Sequence, residues 1–269
     1  MISKFYEDLV CGADDPRIFR GALEPKAVES EEKQNPDFSV RPQYWVKSEL
    51  VRNRLNGISS SVIWKKPWLL AFRKISSATN QRTIIASVLS ASWGVGHNAP
   101  LLLPDVDDRL ASCLLANLNS LVIDFVERIK QVGTDVLYFI VKQLPIIGPE
   151  KYSKEDVDYI ARRVARLTKN DACISPIWLT DYPSEKYQTN EVRLAIKAEL
   201  DAYFAHLYGL SRQDIQYILD PTKEYGKEYP SVTFPGLKRD EIKEYGEYLT
   251  QRLVLEAYDK LSETRFAKA

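Results

Sequence analysis

Two histidines and three cysteines are the main metal-ligating and nucleophilic groups of this chain, and their positions set the first limit on its chemistry. His97 follows Gly94 and Gly96 in the loop-like stretch WGVGHNAP, and His206 falls in the helical pattern AELDAYFAHLYGL. Neither has a cysteine or a second histidine at metal-ligand spacing. His206 reads as a surface or packing residue, whereas His97, in a loop, is a candidate ligand contact. Cys11, Cys113 and Cys173 are odd in number and far apart, which fits a reducing cytoplasm and no disulfide framework. Three Glu-x-Lys triplets, at Glu24 and Lys26, Glu31 and Lys33, and Glu241 and Lys243, match half of a metal-dependent nuclease motif. No strand pattern surrounds them, and nowhere do a nucleophile, a base and an oxyanion donor come together.

Other motifs are missing. The chain has no GxxxxGK phosphate loop, no GxGxxG dinucleotide turn and no [DNS]PP[YFW] tetrapeptide of the kind that holds a flipped base against a methyl donor. No catalytic residue and no cofactor site is therefore expected. At 269 residues, 45% hydrophobic and 28% charged, the composition is that of a globular chain with one large or two ordinary domains. No apolar run has bilayer length, and MISKFYEDLV lacks the pattern of a signal peptide, so no membrane is expected as a partner. The formal net charge is zero, which argues against coating nucleic acid along the whole length. Charge is nevertheless unevenly spread: residues 41–104 hold nine Lys/Arg against one acid, Glu49. Such a block reads as one face for a polyanion, or as a solvated surface balanced by acids folded in from elsewhere.

The elements that must position these residues follow from pattern. Residues 1–40 read as an irregular lead-in broken by Pro16, Pro25 and Pro36. RPQYWV has strand bias, and SELVRNRL reads as a short helix capped by Ser48. WLLAFRKI and RTIIASVL read as strands separated by the polar loop SSATNQ. A helix is expected from Asp107 or Asp108, with Leu110, Leu114, Leu118, Leu121, Phe125 and Ile129 on one face, ending at Gly133. VLYFIV reads as a buried strand, and LPIIGP as extended chain pinned by Pro145 and Pro149. Asn119 and Ser120, inside the long helix, are expected to bond backbone groups of a passing strand or loop end.

Beyond Pro149 the pattern is helical: a capping box at Ser153 and Asp156, a helix stopped by Gly209, a second box at Ser211 and Asp214, and a single last helix over RDEIKEYGEYLTQRLVLEAYDKL. The expected architecture is α/β. A mixed-sheet target-recognition domain occupies 41–149 and a mainly helical C-terminal region 150–269.

WLLAFRKISSATNQRTIIASVLSASWGVGHNAPLLL, followed by LLANLNSLVIDFVERIKQVGTDVLYFIVKQLPIIGP, resembles the target-recognition region of bacterial restriction-modification adenine methyltransferases, the Eco57I-like fused type II enzymes and their phage-defence relatives. A strand with R-x-I, then TN-x-RT, an apolar strand, a Gly-rich loop, a helix with LLN-S and an LP exit occur in the family's order. AELDAYFAHLYGLSRQDIQYILDP and FPGLKRDEIKEYGEYLTQRLVLEAYDKL resemble its C-terminal region.

The resemblance implies sequence-specific recognition of double-stranded DNA. The methyltransferase catalytic domain and its S-adenosylmethionine would be supplied in cis or trans by other sequence. Phosphate contacts would position the protein and base-edge contacts would read sequence. Arg73, Lys74 and Arg82 beside SSATNQ suit phosphate contact or guanine reading, with a strand-end salt bridge as the alternative for Arg73 and Arg82. Asn80 and Gln81 suit an adenine edge or backbone support. His97 and Asn98 occupy the second loop, and Lys65 and Lys66 are phosphate neighbours if the basic block forms one face. The alternative is an interaction module that docks subunits of a restriction or defence complex without touching DNA.

Overall fold

In a computed structural model the described residues are 48–57, 64–91, 93–131, 133–168, 189–229 and 233–267. The lead-in and the strand expected at 41–46 lie outside them. The chain is a mixed α/β protein with a small sheet and a helical C-terminal region. It divides into two compact units that interleave along the sequence. One comprises the described parts of Met1–Lys74, Ile85–Leu115 and Tyr152–Thr189; the other comprises those of Ile75–Ile84, Ala116–Lys151 and Asn190–Ala269.

The first unit is built on a three-stranded sheet. Strands β1 (Trp68–Phe72), β2 (Ala86–Ser90) and β3 (Leu101–Leu102) lie in the order β2-β1-β3, with Leu70 opposite both Val88 and Leu102. Both pairings are antiparallel, so the described sheet is not the mixed one expected. Every residue of β1 and β2 is buried, which is why WLLAF runs apolar without alternation. Leu69, Ala71 and Leu89 pack with Leu55 of helix α1 (Ser48–Gly57) and with Ala99, and Trp64, Trp93 and Val95 close over them. Helix α2 (Asp108–Leu118) begins where expected, and Asp108 receives Trp68 Nε1 at 3.2 Å. Helix α5 (Lys154–Leu167) opens with the expected capping box: Ser153 Oγ accepts from the Asp156 amide at 3.1 Å, and Asp156 accepts from the Ser153 amide at 2.8 Å.

The second unit is helical. Helix α3 (Leu121–Lys130) and helix α10 (Leu249–Thr264) both pack on helix α6 (Asn190–Leu207). Helix α7 (Arg212–Leu219) carries the second capping box, and Gly209 ends α6 in the left-handed region at φ +70°. Helices α8 (Thr222–Tyr225) and α9 (Pro235–Tyr245) complete the unit. His206 is stacked between Tyr258 and Phe266, ring centres 4.0 and 4.4 Å away, so it is a packing residue. Burial lowers its proton affinity, against the hydrogen bond to the Tyr258 carbonyl.

Further expectations need correction. The long helix is two, α2 and α3, bent by 56° at Asn119 and Ser120. Ser120 is the N-cap of α3, accepting from the Ile123 amide at 3.4 Å and donating to the Asn117 carbonyl at 2.7 Å. Ile129, expected on the buried face, is exposed. VLYFIV is not a buried strand: its last four residues form the single helical turn α4 (Tyr138–Val141). Lastly, the C-terminal helix is divided by Gly246 at φ +76° into α9 and α10. No single described helix is long and apolar enough to cross a membrane.

Candidate nucleic-acid interface

The end of β1 gathers four of the expected residues from two distant stretches. The Phe72 amide donates to the Pro100 carbonyl at 3.1 Å and the Lys74 amide to the Asn98 carbonyl at 2.9 Å. Continued antiparallel pairing thus brings Arg73 and Lys74 beside His97 and Asn98, about 25 residues on in sequence. His97 is exposed; Arg73, Lys74 and Asn98 are half-buried.

Lys65 and Lys66 sit at the opposite end of β1. Lys65 is exposed, but Lys66 is committed inward. Its ammonium pairs with Asp108 at 2.8 Å, donates to the Val106 carbonyl and lies 4.8 Å from the Trp68 ring centre. That arrangement fixes the entry into β1, and the charge of Lys66 is largely neutralised where it stands.

The second unit holds the SSATNQ loop, and here one side chain that sequence reasoning passed over is central. Arg128 on α3 donates through Nη1 to the Ala78 and Thr233 carbonyls at 2.6 and 2.9 Å, and through Nη2 to those of Asn80 and Gln81 at 2.8 and 3.3 Å. Its Nε pairs with Asp124 at 2.7 Å, and its guanidinium lies over the Phe234 ring at 4.6 Å. Asp124 in turn accepts from the Thr83 amide at 2.9 Å. The planar fork suits this role, since five donors in fixed directions can satisfy several carbonyls at once, which a lysine cannot do.

Further bonds close the loop at its edges. Gln131 Nε2 reaches the Ser76 carbonyl at 3.0 Å, the Ser76 amide reaches the Thr134 carbonyl at 2.8 Å, and Ile75 bridges Asp135. Gly236 packs so closely that a Cβ there would lie 2.2 Å from the Thr79 carbonyl oxygen. The backbone from Ile75 to Thr83 is therefore held on several sides, while the side chains of Thr79 and Gln81 are exposed.

The expected loop residues divide by role. Arg82 takes its alternative reading, an ion pair: Nη2 meets Asp201 Oδ2 at 2.8 Å, while Asp201 Oδ1 accepts from the Leu121 amide at 2.7 Å. Burial works against the charge of Arg82, but Asp201 and Asp124 outweigh it and raise its proton affinity. Arg82 thereby ties the loop to α6. Asn80 makes a long contact, 3.5 Å, to Ser76 Oγ, and Gln81 donates to Asp240 at 3.0 Å from an exposed position. Of the nine expected site residues, Asn80, Gln81 and Arg82 belong to this unit and the other six to the first.

Glu127 is the other buried acid here. It is 0% exposed, and among the described residues neither carboxylate oxygen has a hydrogen-bond partner. Burial first, then the neighbouring Asp124, pushes its pKa up to about 7, with Arg128 opposing. A carboxyl with no donors is easier to bury neutral than charged. No group of three or more His, Cys, Asp or Glu able to hold a metal occurs among the described residues. Glu241 of the third Glu-x-Lys triplet is helical and buried, and accepts from the Thr250 amide at 2.7 Å.

Two residues before the Asn-Ser pair lies a second amide, Asn117. Asn117 is the buried one: its Oδ1 accepts from the Ile147 amide at 3.0 Å, and its Nδ2 donates to the Tyr208 hydroxyl at 2.9 Å. That hydroxyl donates onward to the Pro145 carbonyl at 2.7 Å. Asn117 thus pins the proline-flanked exit to the helices. A signal for Asp124 and Arg128 was present too: opposite charges four apart within LVIDFVERIK. No family model, curated protein or solved structure matches this chain.

Proposed function

We propose that this chain reads DNA sequence as the specificity portion of a bacterial restriction-modification adenine methyltransferase. Methyl transfer, and the S-adenosylmethionine it needs, belong to a catalytic domain outside these residues, acting in cis or trans in the cytoplasm. The observation that carries the reading is the clamped SSATNQ loop. Reading base edges requires donors and acceptors held in place before the ligand arrives, because ordering a loop on binding costs affinity. Arg128, Arg82 and the close approach of Gly236 hold this loop's backbone, with Thr79 and Gln81 as its exposed polar side chains. In the first unit, Lys65, Lys74 and His97 are the side chains for phosphate contact, joined by Arg73 and Asn98 at the same strand end as Lys74 and His97. Lys66 and Arg82 serve as positioning residues. Gln81 and Asn80 remain the candidates for an adenine edge.

The test is fluorescence anisotropy of the chain with a pool of random duplexes across a salt series. Retention that weakens steeply with salt is expected, and Lys74→Ala should reduce the logarithmic salt slope by roughly 1. Gln81→Ala should change which duplexes are retained while leaving the slope unaltered. Absence of duplex retention, together with salt-insensitive association with a protein subunit, would replace this reading with that of a docking module.

A further inference from the structure

The last turn of α3 carries an excess of buried acceptors that the recognition reading does not use. Glu127 is 0% exposed, and among the described residues neither of its carboxyl oxygens has a hydrogen-bond partner. Gln131, the C-cap of α3, lies one turn further on, its backbone amide bonded to the Glu127 carbonyl at 2.8 Å. Side chains four apart on a helix share a face. Gln131 Nε2 is spent on the Ser76 carbonyl at 3.0 Å, while its buried Oε1 has no donor. Three buried acceptor atoms on two adjacent side chains are thus unmet, and a buried unmet acceptor costs free energy.

Arg128, the cation that acts on Glu127, has no donor to spare. Its Nε serves Asp124, its Nη1 the Ala78 and Thr233 carbonyls, and its Nη2 those of Asn80 and Gln81. Those bonds account for all the N–H groups of a guanidinium. Burial first, then Asp124, raises the Glu127 pKa to about 7, against the pull of Arg128. The charges on the surrounding elements are committed elsewhere. Arg82 of the loop and Asp201 of α6 pair with each other and act on Asp124, and Lys197 of α6 lies in their field. On α7, Arg212 and Asp214 are exposed and held by Asp259 and Ser211; Asp240 of α9 takes Gln81 and Arg239. Helix α4 has no charged residue, and Asp135 before it bridges Ile75.

We propose that the Gln131 amide is a two-position switch set by one proton on Glu127, and that its position decides whether the start of the SSATNQ loop is held. With the proton on, the Glu127 hydroxyl donates to Gln131 Oε1, and Nε2 stays directed at the Ser76 carbonyl. With the proton lost to solvent, the carboxylate requires a donor. The amide then turns Nε2 from Ser76 to Glu127, and the bond to the loop is broken. A neutral acid and its carboxylate demand opposite ends of the same amide, which is what makes the element bistable. The closed loop favours the protonated form, so the hold is complete well below the raised pKa and lost as pH rises through it. The switch is independent of what the loop reads, because all its parts lie within the second unit.

Amide exchange of the free chain, corrected for intrinsic rates, tests it. The Ser76 amide bonds the Thr134 carbonyl and the Asn80 amide the Ser77 carbonyl, so both report on the loop. From about pH 6 to about pH 8 their protection should fall about tenfold, the linkage expected for a pKa of about 7 when closed and 4.5 when open. Amides of α10, in the same unit, should keep theirs. Glu127→Gln, which donates to Gln131 Oε1 at every pH, should retain the acid-side protection throughout. Gln131→Met, which removes both positions, should show weak protection of the loop at either pH. Infrared difference spectra of the parent should contain the carbonyl band of a buried carboxylic acid on the acid side, fading with the same midpoint. Loop protection that changes less than about twofold, or that falls alongside the parent's in Glu127→Gln, overturns the switch. An equal loss of protection in α10 does the same, since it would mean that Glu127 weakens the whole unit. A missing carboxylic acid band also overturns it, and that measurement needs no variant to fold.

Discussion

Replacing Arg128 by alanine removes one guanidinium and disconnects two parts of the second unit. Asp124 is 1% exposed, and among the described residues its carboxylate would keep one partner, the Thr83 amide. Breaking a buried ion pair from one side costs about 3–5 kcal/mol, because the remaining charge stays desolvated. The four carbonyls that Arg128 serves add less. Ala78 and Gln81 are exposed residues, and water can replace part of what their carbonyls lose. The stacking on Phe234 adds about 0.5–2 kcal/mol where water is excluded.

These contributions overlap, and the expected loss is about 4 kcal/mol. Arg128→Lys should lose roughly half of that, keeping the charge near Asp124 without the fork that spans the loop. Urea unfolding at constant m-value gives the free energies, and amide exchange at Asn80, Gln81 and Thr83 reports on the loop itself. Asp124→Asn and the double variant complete a cycle whose coupling should exceed about 1 kcal/mol. A loss below about 1 kcal/mol for Arg128→Ala, or unchanged exchange at Thr83, would refute the claim that this residue holds the loop.

Two further outcomes follow from the same unit. Gly236→Ala adds a Cβ 2.2 Å from the Thr79 carbonyl oxygen, so the usual helical gain of about 1 kcal/mol should be reversed to a net loss of about 1–3 kcal/mol; a raised urea midpoint would contradict the packing described. Glu127 titrates near 7 when folded, against 4.5 for an ordinary glutamate, so the folded chain holds a proton between those values that the unfolded chain has released. Its contribution to stability is therefore complete below about pH 4.5 and lost as pH rises towards 7, with a ceiling of about 3 kcal/mol. Glu127→Gln should remove that slope and be the more stable protein at about pH 8, and parallel pH profiles for the two proteins would count against it.

Much of the helical region was readable because its signals are local. The boxes at Ser153 with Asp156 and at Ser211 with Asp214 close within one turn, and Gly209 ends α6 at a backbone angle that glycine adopts freely. The buried strand β1 was readable because WLLAF is apolar throughout. Reading failed where one pattern serves two structures. VLYFIV is as good a turn of helix as a short strand, since so short an apolar run does not fix a period. The stretch 108–130 has helical spacing throughout, and only the capping geometry of Ser120 shows the break.

At the candidate interface the sequence by itself supplied the residue types: a cation-rich stretch and polar loops between apolar strands. Tertiary structure decided which of those cations face solvent and which are structural. Lys66 went to Asp108 over an interval of 42 residues and Arg82 to Asp201 over 119, pairings that no local pattern encodes. It also selected Arg128 as the clamp, reaching back 50 residues to the loop it holds. The physical reason is desolvation. Once folding removes water from a charge, that charge must find a partner wherever the chain has brought one, and sequence distance has no part in the choice.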